Sequence, residues 1–219
     1  MASEVAKTET IDAVYKVFAK YGKPRDFPAC EHCMSKAEKR ALLKPCLREL
    51  NADELTKYAA DALFTVGSVL DFKYFLPRIL ELSVNDNGWW PGPEMVLAKL
   101  RLAEWDNWPE NEKVVLVALL NEKFATLIKD SNVDGGDIDK WICGLGRCMD
   151  DITPYLDSLL EQASENTLLS FIESNHTALT KGKLSNAFWD SPANEQRLWG
   201  WFNSNVVKGL LTAKYGMIS

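Results

Sequence analysis

The residues best suited to chemistry are two cysteines in the segment Cys30-Glu-His-Cys33. Two thiolates at this spacing can chelate one metal ion, or they can form a small redox disulfide. A structural zinc site takes four ligands; Cys46 is a candidate third ligand, and His32 is awkwardly placed as a fourth. The remaining alternative is that both are loop cysteines that pack or stay free. We predict that Cys30 and Cys33 lie within reach of each other in an ordered loop without completing a zinc site.

A second candidate metal site is the acidic turn that begins at Asp130. Asp130, Asn132 and Asp134 match the first oxygen-ligand positions of a calcium-binding loop, and a glycine follows them. The bidentate glutamate expected at position twelve is missing, because Trp141 stands there. The alternative is an ordinary turn that caps the next helix, with Asp137 at the N-cap. We expect no cofactor, with zinc at the cysteines and calcium at this turn kept as alternatives.

Two adjacent tryptophans, Trp89 and Trp90, are the candidate residues for binding a protein partner. They lie in a loop braced by Pro91 and Pro93, where burial is less automatic than on a helix. Adjacent aromatic side chains on such a loop can anchor a partner. The alternative is that both tryptophans pack beneath the neighbouring helices.

Catalytic arrangements are scarce in this sequence. It contains no Gly-x-Ser-x-Gly, no P-loop and no dinucleotide-binding motif. We assign His176 to the end of a helix, where a cation interacts favourably with the helix dipole. We expect Asp71, Arg78 and Glu81 to form ion pairs and not an acid–base pair. We therefore name no catalytic residue and favour a protein without enzymatic activity.

Helices are predicted along almost the whole chain. Strong helix starts recur about every 40 residues, at Asn51, Pro91 and Gly136, a spacing typical of stacked α-hairpins of the HEAT or armadillo kind. A glutamate three residues after Ser35 and after Asn51 completes a capping box at each position. The sequence therefore predicts an all-α fold of stacked antiparallel helix pairs in a right-handed superhelix. Residues 184–189 are among the predicted helices.

The length and composition predict one domain with a sizeable core. The chain has 219 residues, of which 47% are hydrophobic, so it needs no disulfide or metal to hold it together. We expect a single helical domain over residues 1–219, with residues 1–50 forming a looser N-terminal segment. The predicted core residues are Leu55, Leu63, Phe75, Leu76, Ile79, Leu100, Val115, Leu119, Phe124, Tyr155, Leu159 and Phe171.

Three stretches of the chain carry a resemblance: Pro45-Cys-Leu-Arg-Glu-Leu50, Leu55-x-x-Tyr58-Ala59, and Asp71 to Leu82, which contains Phe-Leu-Pro-Arg-Ile-Leu-Glu-Leu. In these stretches the chain resembles a family of uncharacterised bacterial all-helical proteins with no assigned activity. The upstream Cys-x-x-Cys belongs to the same likeness, which covers roughly residues 10 to 160. The resemblance implies a helical fold and nothing about chemistry, so it assigns no functional residue.

Charge and hydrophobicity exclude some classes of partner. The formal net charge is −6 at pH 7 and no Lys/Arg run offsets it, whereas nucleic-acid-binding surfaces carry a clustered basic excess. The first residues are polar with no apolar segment behind them, and no apolar run approaches the roughly 18 residues that a membrane helix needs. We expect a cytoplasmic protein that binds another protein and neither nucleic acid nor membrane.

Three functions are compatible with these patterns. The sequence favours first a non-enzymatic helical-repeat scaffold or protein-interaction module, because stacked helix pairs usually present surfaces to partners. The second is an enzyme whose site lies in a helix-lined groove. The third is a metal- or thiol-dependent sensor that uses Cys30 and Cys33.

Overall fold

The computed structural model describes residues 2–215 of the chain and the side chains of residues 9–214. Within this part, extended segments form only isolated bridges and helices make the fold, so the all-α prediction is confirmed. No helix in residues 2–215 is both long and apolar enough to cross a membrane. The α-helices are α1 (Ala2–Phe18), α2 (Lys36–Leu43), α3 (Ala52–Asp61), α4 (Val69–Asn85), α5 (Pro93–Leu102), α6 (Glu110–Lys129), α7 (Gly135–Cys148), α8 (Thr153–Gln162), α9 (Glu165–Leu179), α10 (Pro192–Phe202) and α11 (Asn205–Tyr215), with short 3-10 helices at Leu47–Glu49 and Trp105–Asn107.

Capping side chains determine where α2 and α3 begin. The Ser35 hydroxyl accepts the Glu38 backbone N–H over 3.3 Å, and the Glu38 carboxylate accepts the Ser35 N–H over 2.7 Å. Asn51 and Glu54 repeat the arrangement at α3, where the Asn51 side chain accepts the Glu54 N–H over 2.7 Å. Each reciprocal pair satisfies backbone N–H groups that the first helical turn leaves without partners. Both predicted helix starts are therefore confirmed.

The chain divides into two compact units, a first unit ending at Lys123 and a second unit beginning at Phe124. In the first unit α1 packs against α4, α2 packs against α3, and α3, α4 and α5 pack together. In the second unit α7 packs mainly against α9, and α10 contacts α7, α8 and α11. The single domain, the looser N-terminal segment and the right-handed superhelix stay predictions.

The predicted core is confirmed except at two positions. Leu63 and Val115 are only half-buried. Leu63 lies beyond the end of α3 and has a φ of 66°, which is not a helical value. The side chain therefore does not follow the buried face that a longer α3 would have given it. Val115 lies beside the buried face of α6, which Leu116 and Leu119 provide. The predicted residues that are buried are Leu55, Phe75, Leu76, Ile79, Leu100, Leu119, Phe124, Tyr155, Leu159 and Phe171.

Residues 184–189 form a loop, so the helix predicted there is wrong. The fully buried Asn175 of α9 donates to the Asp139 carboxylate over 3.0 Å and accepts the Ser185 backbone N–H over 3.3 Å. Asn186 also acts on the Asp139 carboxylate, where with Asn175 it opposes the rise in pKa that burial causes. These bonds give the loop partners outside its own backbone and compete with helix formation.

Helices α7 and α9 approach closely at Gly135. The Gly135 N–H donates to the Ser170 hydroxyl over 2.9 Å. A Cβ atom added at Gly135 would lie 2.0 Å from the Ser170 carbonyl oxygen, far inside van der Waals contact. Only glycine therefore fits this position without moving the backbone of α9.

Candidate dithiol site

Cys30 and Cys33 stand at the two ends of one tight turn in the first unit. The Cys33 N–H donates to the Cys30 carbonyl oxygen over 2.9 Å and closes a four-residue turn. Such a turn brings its first and last Cα atoms within about 7 Å, and disulfides span about 4.4–6.8 Å between Cα atoms. The side chains of the two cysteines also interact directly. The structure therefore brings the two thiols together.

Backbone pairing holds this turn against the loop that follows α3. The Cys30 N–H donates to the Thr65 carbonyl oxygen over 3.0 Å, and the Gly67 N–H donates to the Pro28 carbonyl oxygen over 2.7 Å. Gly67 has a φ of 73°, and an added Cβ would lie 2.8 Å from the Tyr58 hydroxyl. Because only glycine suits both the dihedral angle and the space, this residue lets the two loops pair.

Buried apolar side chains anchor the chain on both sides of the turn. Phe27 is buried and packs edge-on against Phe75, with ring centroids 5.9 Å apart. Met34 is buried on the other side. Cys30 itself is exposed and Cys33 is half-buried, and both are free thiols. The turn is thus fixed to the core while Cys30 is open to solvent.

The surroundings of Cys30 favour its thiolate. The backbone N–H groups of Cys33 and His32, followed by the Cys33 thiol, lower the pKa of Cys30 below its ordinary value. Burial and the carboxylate of Glu31 oppose this effect but do not cancel it. Because the thiolate is the nucleophile and Cys30 is exposed, Cys30 is placed to attack a disulfide from solvent, and Cys33 is placed to attack Cys30 in turn.

The predicted metal ligands are not gathered into one cluster. The described residues contain no group of three or more His, Cys, Asp or Glu side chains that could hold a metal ion. Cys46 is exposed and lies at the start of its own 3-10 helix, where its N–H donates to the Glu49 carboxylate over 3.1 Å. Cys30 and Cys33 therefore offer two ligands at one place, and zinc binding there stays a prediction.

The acidic turn before α7 uses its oxygen atoms for local hydrogen bonds. The Asp130 carboxylate accepts the Asn132 N–H over 2.9 Å. The Asp134 carboxylate accepts the Gly136 N–H over 2.7 Å and forms the N-cap of α7. The N-cap is therefore Asp134, and the assignment of this role to Asp137 is wrong. Calcium binding at this turn stays a prediction.

The two adjacent tryptophans have different surroundings. Trp89 is only 7% exposed and its indole N–H donates to the Ala52 carbonyl oxygen over 3.2 Å. Trp90 is 54% exposed, and its carbonyl oxygen accepts the Thr56 hydroxyl over 3.0 Å. Trp89 thus packs against the start of α3, while Trp90 presents its indole to solvent from an anchored backbone.

Two of the three residues expected in ion pairs do pair. Arg78 donates to Glu81 over 2.7 Å, and the Tyr15 hydroxyl donates to the same carboxylate oxygen over 2.7 Å. Asp71 instead caps α4, because its carboxylate accepts the Ser68 N–H over 2.8 Å. His176 lies in the last turn of α9, as expected from its sequence context.

A buried charge cluster around Glu112 was not predicted. The fully buried Glu112 carboxylate accepts the Tyr21 hydroxyl over 2.6 Å and the Lys73 ammonium over 2.8 Å, and it pairs with Lys20 at 2.5 Å. The Lys73 ammonium also lies 3.8 Å from the Trp108 ring centroid. Burial raises the pKa of Glu112, but hydrogen bonds from these three partners outweigh it and lower the pKa. Since the partners come from distant parts of the chain, no local sequence signal indicates the cluster.

The arrangement at Cys30 and Cys33 suits thiol–disulfide exchange better than any other chemistry in the described residues. It combines an exposed attacking thiol with a neighbouring second thiol in a turn held by backbone hydrogen bonds. Comparison with protein-family models, with curated proteins and with solved structures gives no match to this chain.

Proposed function

We propose that this protein is a thiol-dependent redox protein in which Cys30 and Cys33 interconvert between a dithiol and a disulfide. One observation carries the proposal: a single turn holds an exposed Cys30 thiol beside the half-buried Cys33 thiol. The lowered pKa of Cys30 supports it, because a larger thiolate fraction reacts faster with a disulfide. Of the three functions inferred from the sequence, this is the thiol form of the third.

The reaction proceeds in two exchange steps. The Cys30 thiolate attacks one sulfur of an oxidised disulfide, so that a mixed disulfide forms and the leaving thiolate takes a proton from water. The Cys33 thiol then loses its proton to solvent and attacks the Cys30 sulfur. This second step releases the other substrate sulfur as a thiol and leaves a Cys30–Cys33 disulfide. Two electrons pass from the dithiol to the substrate disulfide.

The resting state of the site depends on the compartment. We place the protein in the cytoplasm, where the glutathione and thioredoxin systems keep thiols reduced. The dithiol is then the resting form, and the disulfide marks contact with an oxidised partner. The redox state of one turn would in this way report the thiol–disulfide balance around the protein.

Trapping the mixed disulfide tests the roles of the two cysteines. Reduced Cys33→Ser protein, incubated with oxidised glutathione, should accumulate a stable glutathione adduct on Cys30, because the resolving thiol is missing. Wild type and Cys46→Ser protein should instead release glutathione and retain a Cys30–Cys33 disulfide, as read by peptide mass spectrometry. Equal adducts on Cys30 in all three proteins would contradict the proposal.

A second candidate function is the protein-interaction module, and Trp90 is the observation that favours it. The exposed indole stands on a backbone that Thr56 holds through the Trp90 carbonyl oxygen, so little conformational entropy is lost when a partner covers it. Affinity capture with wild type and Trp90→Ala protein tests this idea. We expect a protein retained by wild type, and by a Val114→Ala control, to be lost with Trp90→Ala. An identical set of captured proteins would exclude Trp90 as the anchor.

A further inference from the structure

The turn between Cys30 and Cys33 places two sulfur atoms where one metal ion can bind both. The Cys33 thiol hydrogen-bonds to the Cys30 sulfur, so the two sulfurs are neighbours. Two sulfurs bound to one tetrahedral zinc ion lie about 3.8 Å apart, because each Zn–S bond is about 2.3 Å long. Neighbouring sulfurs can reach this separation without opening the turn that the Cys33 N–H closes. The turn therefore offers two thiolate ligands of one tetrahedral ion.

Backbone groups hold this pair of ligands in place. The backbone N–H groups of His32 and Cys33 interact with the Cys30 sulfur. The Cys30 carbonyl oxygen accepts the N–H groups of Cys33 and Met34, each over 2.9 Å, and the Cys30 N–H donates to Thr65. Hydrogen bonds to a ligand atom orient it toward the metal and are a regular part of metal sites. Little conformational freedom is therefore lost when an ion binds here.

One chain does not complete a zinc site at this turn. The side chains of residues 9–214 include no group of three or more His, Cys, Asp or Glu that could hold a metal ion. Cys46 begins its own 3-10 helix, and Cys143 and Cys148 are buried in α7 of the second unit. Because a structural zinc ion takes four protein ligands, an ion at this turn needs two more from another molecule.

A second copy of the chain supplies the missing ligands most simply. Cys30, Glu31 and His32 are exposed, so another chain can approach the turn from solvent. The second copy carries the same two thiolates at the same spacing, and a two-fold axis through the ion makes the two halves equivalent. Sites of four thiolates take zinc or iron–sulfur centres, and zinc needs no inorganic sulfide. The free energy of four Zn–S bonds offsets the entropy that two chains lose on joining.

We propose that one zinc ion joins two copies of this chain, held by Cys30 and Cys33 of each copy. The inference rests on the dithiol state of the proposed function, because two sulfurs bonded to each other cannot both act as thiolate ligands. When zinc binds, the four thiols lose four protons to solvent.

Oxidation reverses the assembly. Two molecules of oxidised glutathione convert the two dithiols into two Cys30–Cys33 disulfides, and four electrons pass to the glutathione. The glutathione leaves as four thiols, with protons from water, and the zinc ion is released to solvent. Without the ion the two copies separate, so the redox state of the turn controls the assembly of the protein.

Zinc content and molecular mass, measured on the same samples, test the inference. The reduced full chain is freed of metal with EDTA, given zinc in the absence of oxygen, and desalted. It should retain about one zinc ion per two chains and sediment with the mass of two chains. EDTA should restore the mass of one chain. Cys46→Ser should behave like wild type, whereas Cys30→Ser and Cys33→Ser should retain no zinc and stay single, since each leaves one thiolate per copy.

Several results would overturn the inference. They are one zinc ion on a single chain, no retained zinc, and a two-chain mass that persists with EDTA or in Cys33→Ser. Zinc and a two-chain mass that both survive oxidised glutathione would contradict the reversal. If the two serine variants lose the helical circular dichroism of wild type, cobalt(II) bound to wild type in place of zinc decides: sulfur-to-metal charge-transfer absorption supports the inference, and its absence contradicts it.

These outcomes are separate from the test of the proposed function. The metal-free chain shows through its reaction with oxidised glutathione whether Cys30 and Cys33 form a disulfide. If that disulfide forms and zinc does not join two chains, the inference fails and the proposed function stands. If zinc joins two chains through these cysteines and the metal-free chain forms no disulfide, the proposed function fails and the zinc site stands.

Discussion

The backbone N–H of Cys33 donates to the carbonyl oxygen of Cys30 over 2.9 Å, so the two cysteines stand at the ends of one closed turn. The turn is tied to the loop after α3 through Thr65 and Gly67 and to the core through Phe27 and Met34. Because these contacts are made by backbone groups and by the buried side chains of Phe27 and Met34, the shape of the turn does not depend on the two cysteine side chains. Substituting either cysteine should therefore leave the fold intact.

Cys30 should react with iodoacetamide at lower pH than an ordinary thiol. Its pKa is lowered by the N–H groups of Cys33 and His32 and by the Cys33 thiol, so its thiolate persists below the pH of about 8.5 at which free cysteine titrates. The rate of alkylation of the Cys30 peptide against pH, followed by mass spectrometry, gives the midpoint. In Cys33→Ala the midpoint should rise, since the hydrogen bond from the Cys33 thiol that favours the Cys30 thiolate is lost. A midpoint at or above about 8.5 in wild type would contradict the structure around the sulfur.

Replacing Glu112 by Gln should strongly destabilise the first unit. The substitution keeps the side-chain shape but leaves the buried ammonium of Lys73 without its carboxylate, which typically costs about 3–5 kcal/mol. Urea unfolding measures the loss. Glu110→Gln is the matched control in the same helix: its carboxylate is exposed and pairs with Lys113, and its replacement should cost at most about 1 kcal/mol. Equal losses in the two variants would show that the Glu112 cluster contributes little.

The contribution of Glu112 should also depend on pH. Its folded pKa is lowered, so this stabilisation is fully present above the unfolded pKa of about 4.3 and is lost as the pH falls through the folded value. The difference in unfolding free energy between wild type and Glu112→Gln should therefore be constant near neutral pH and shrink below about pH 4. If the difference in unfolding free energy between the two proteins grows as the pH falls, this prediction is wrong.

Gly135→Ala should destabilise the second unit. The added methyl would lie 2.0 Å from the Ser170 carbonyl oxygen, so α7 or α9 has to move, at a cost of about 1–3 kcal/mol. Gly200→Ala in α10 is the control, because a Cβ there meets nothing within 4 Å. That substitution should be neutral or stabilise by up to about 1 kcal/mol, since alanine favours helix. Thermal unfolding of the two variants distinguishes close packing at Gly135 from a general intolerance of alanine.

Leu119→Ala tests which face of α6 is buried in the first unit. Leu119 is buried, so the substitution should cost about 2–5 kcal/mol through lost burial and the cavity that remains. Val114 is exposed on the same helix, and Val114→Ala should change stability by at most about half a kcal/mol. If Leu119→Ala lowers the free energy of unfolding by less than about half a kcal/mol, the face of α6 that carries Leu119 is not the buried one.

The features predicted from the sequence are the ones that neighbouring residues determine. Ser35 with Glu38 and Asn51 with Glu54 mark helix starts because each pair acts within one helical turn. The turn between Cys30 and Cys33 is likewise local, so their proximity followed from spacing.

Features that depend on distant residues were missed. The pairing of the Cys30 turn with Thr65 joins two loops that α2 and α3 separate in the sequence. The Glu112 cluster gathers Tyr21 from the segment after α1 and Lys73 from α4. Apolar spacing predicted a helix over residues 184–189. It cannot reveal that the Ser185 N–H donates to the Asn175 side chain, and the segment is a loop. In each case the decisive partner is remote in sequence, where neither periodicity nor capping patterns carry information.

We propose that Cys30 and Cys33 form a reversible dithiol–disulfide pair. The most direct measurement equilibrates the full chain in glutathione buffers of graded redox potential, blocks remaining thiols, and maps each cysteine by mass spectrometry. We predict that Cys30 and Cys33 lose their thiols together in one two-electron transition, joined to each other, while Cys46 follows a separate course. Persistence of both thiols across the whole range, or a disulfide that joins either cysteine to Cys46, would contradict the account.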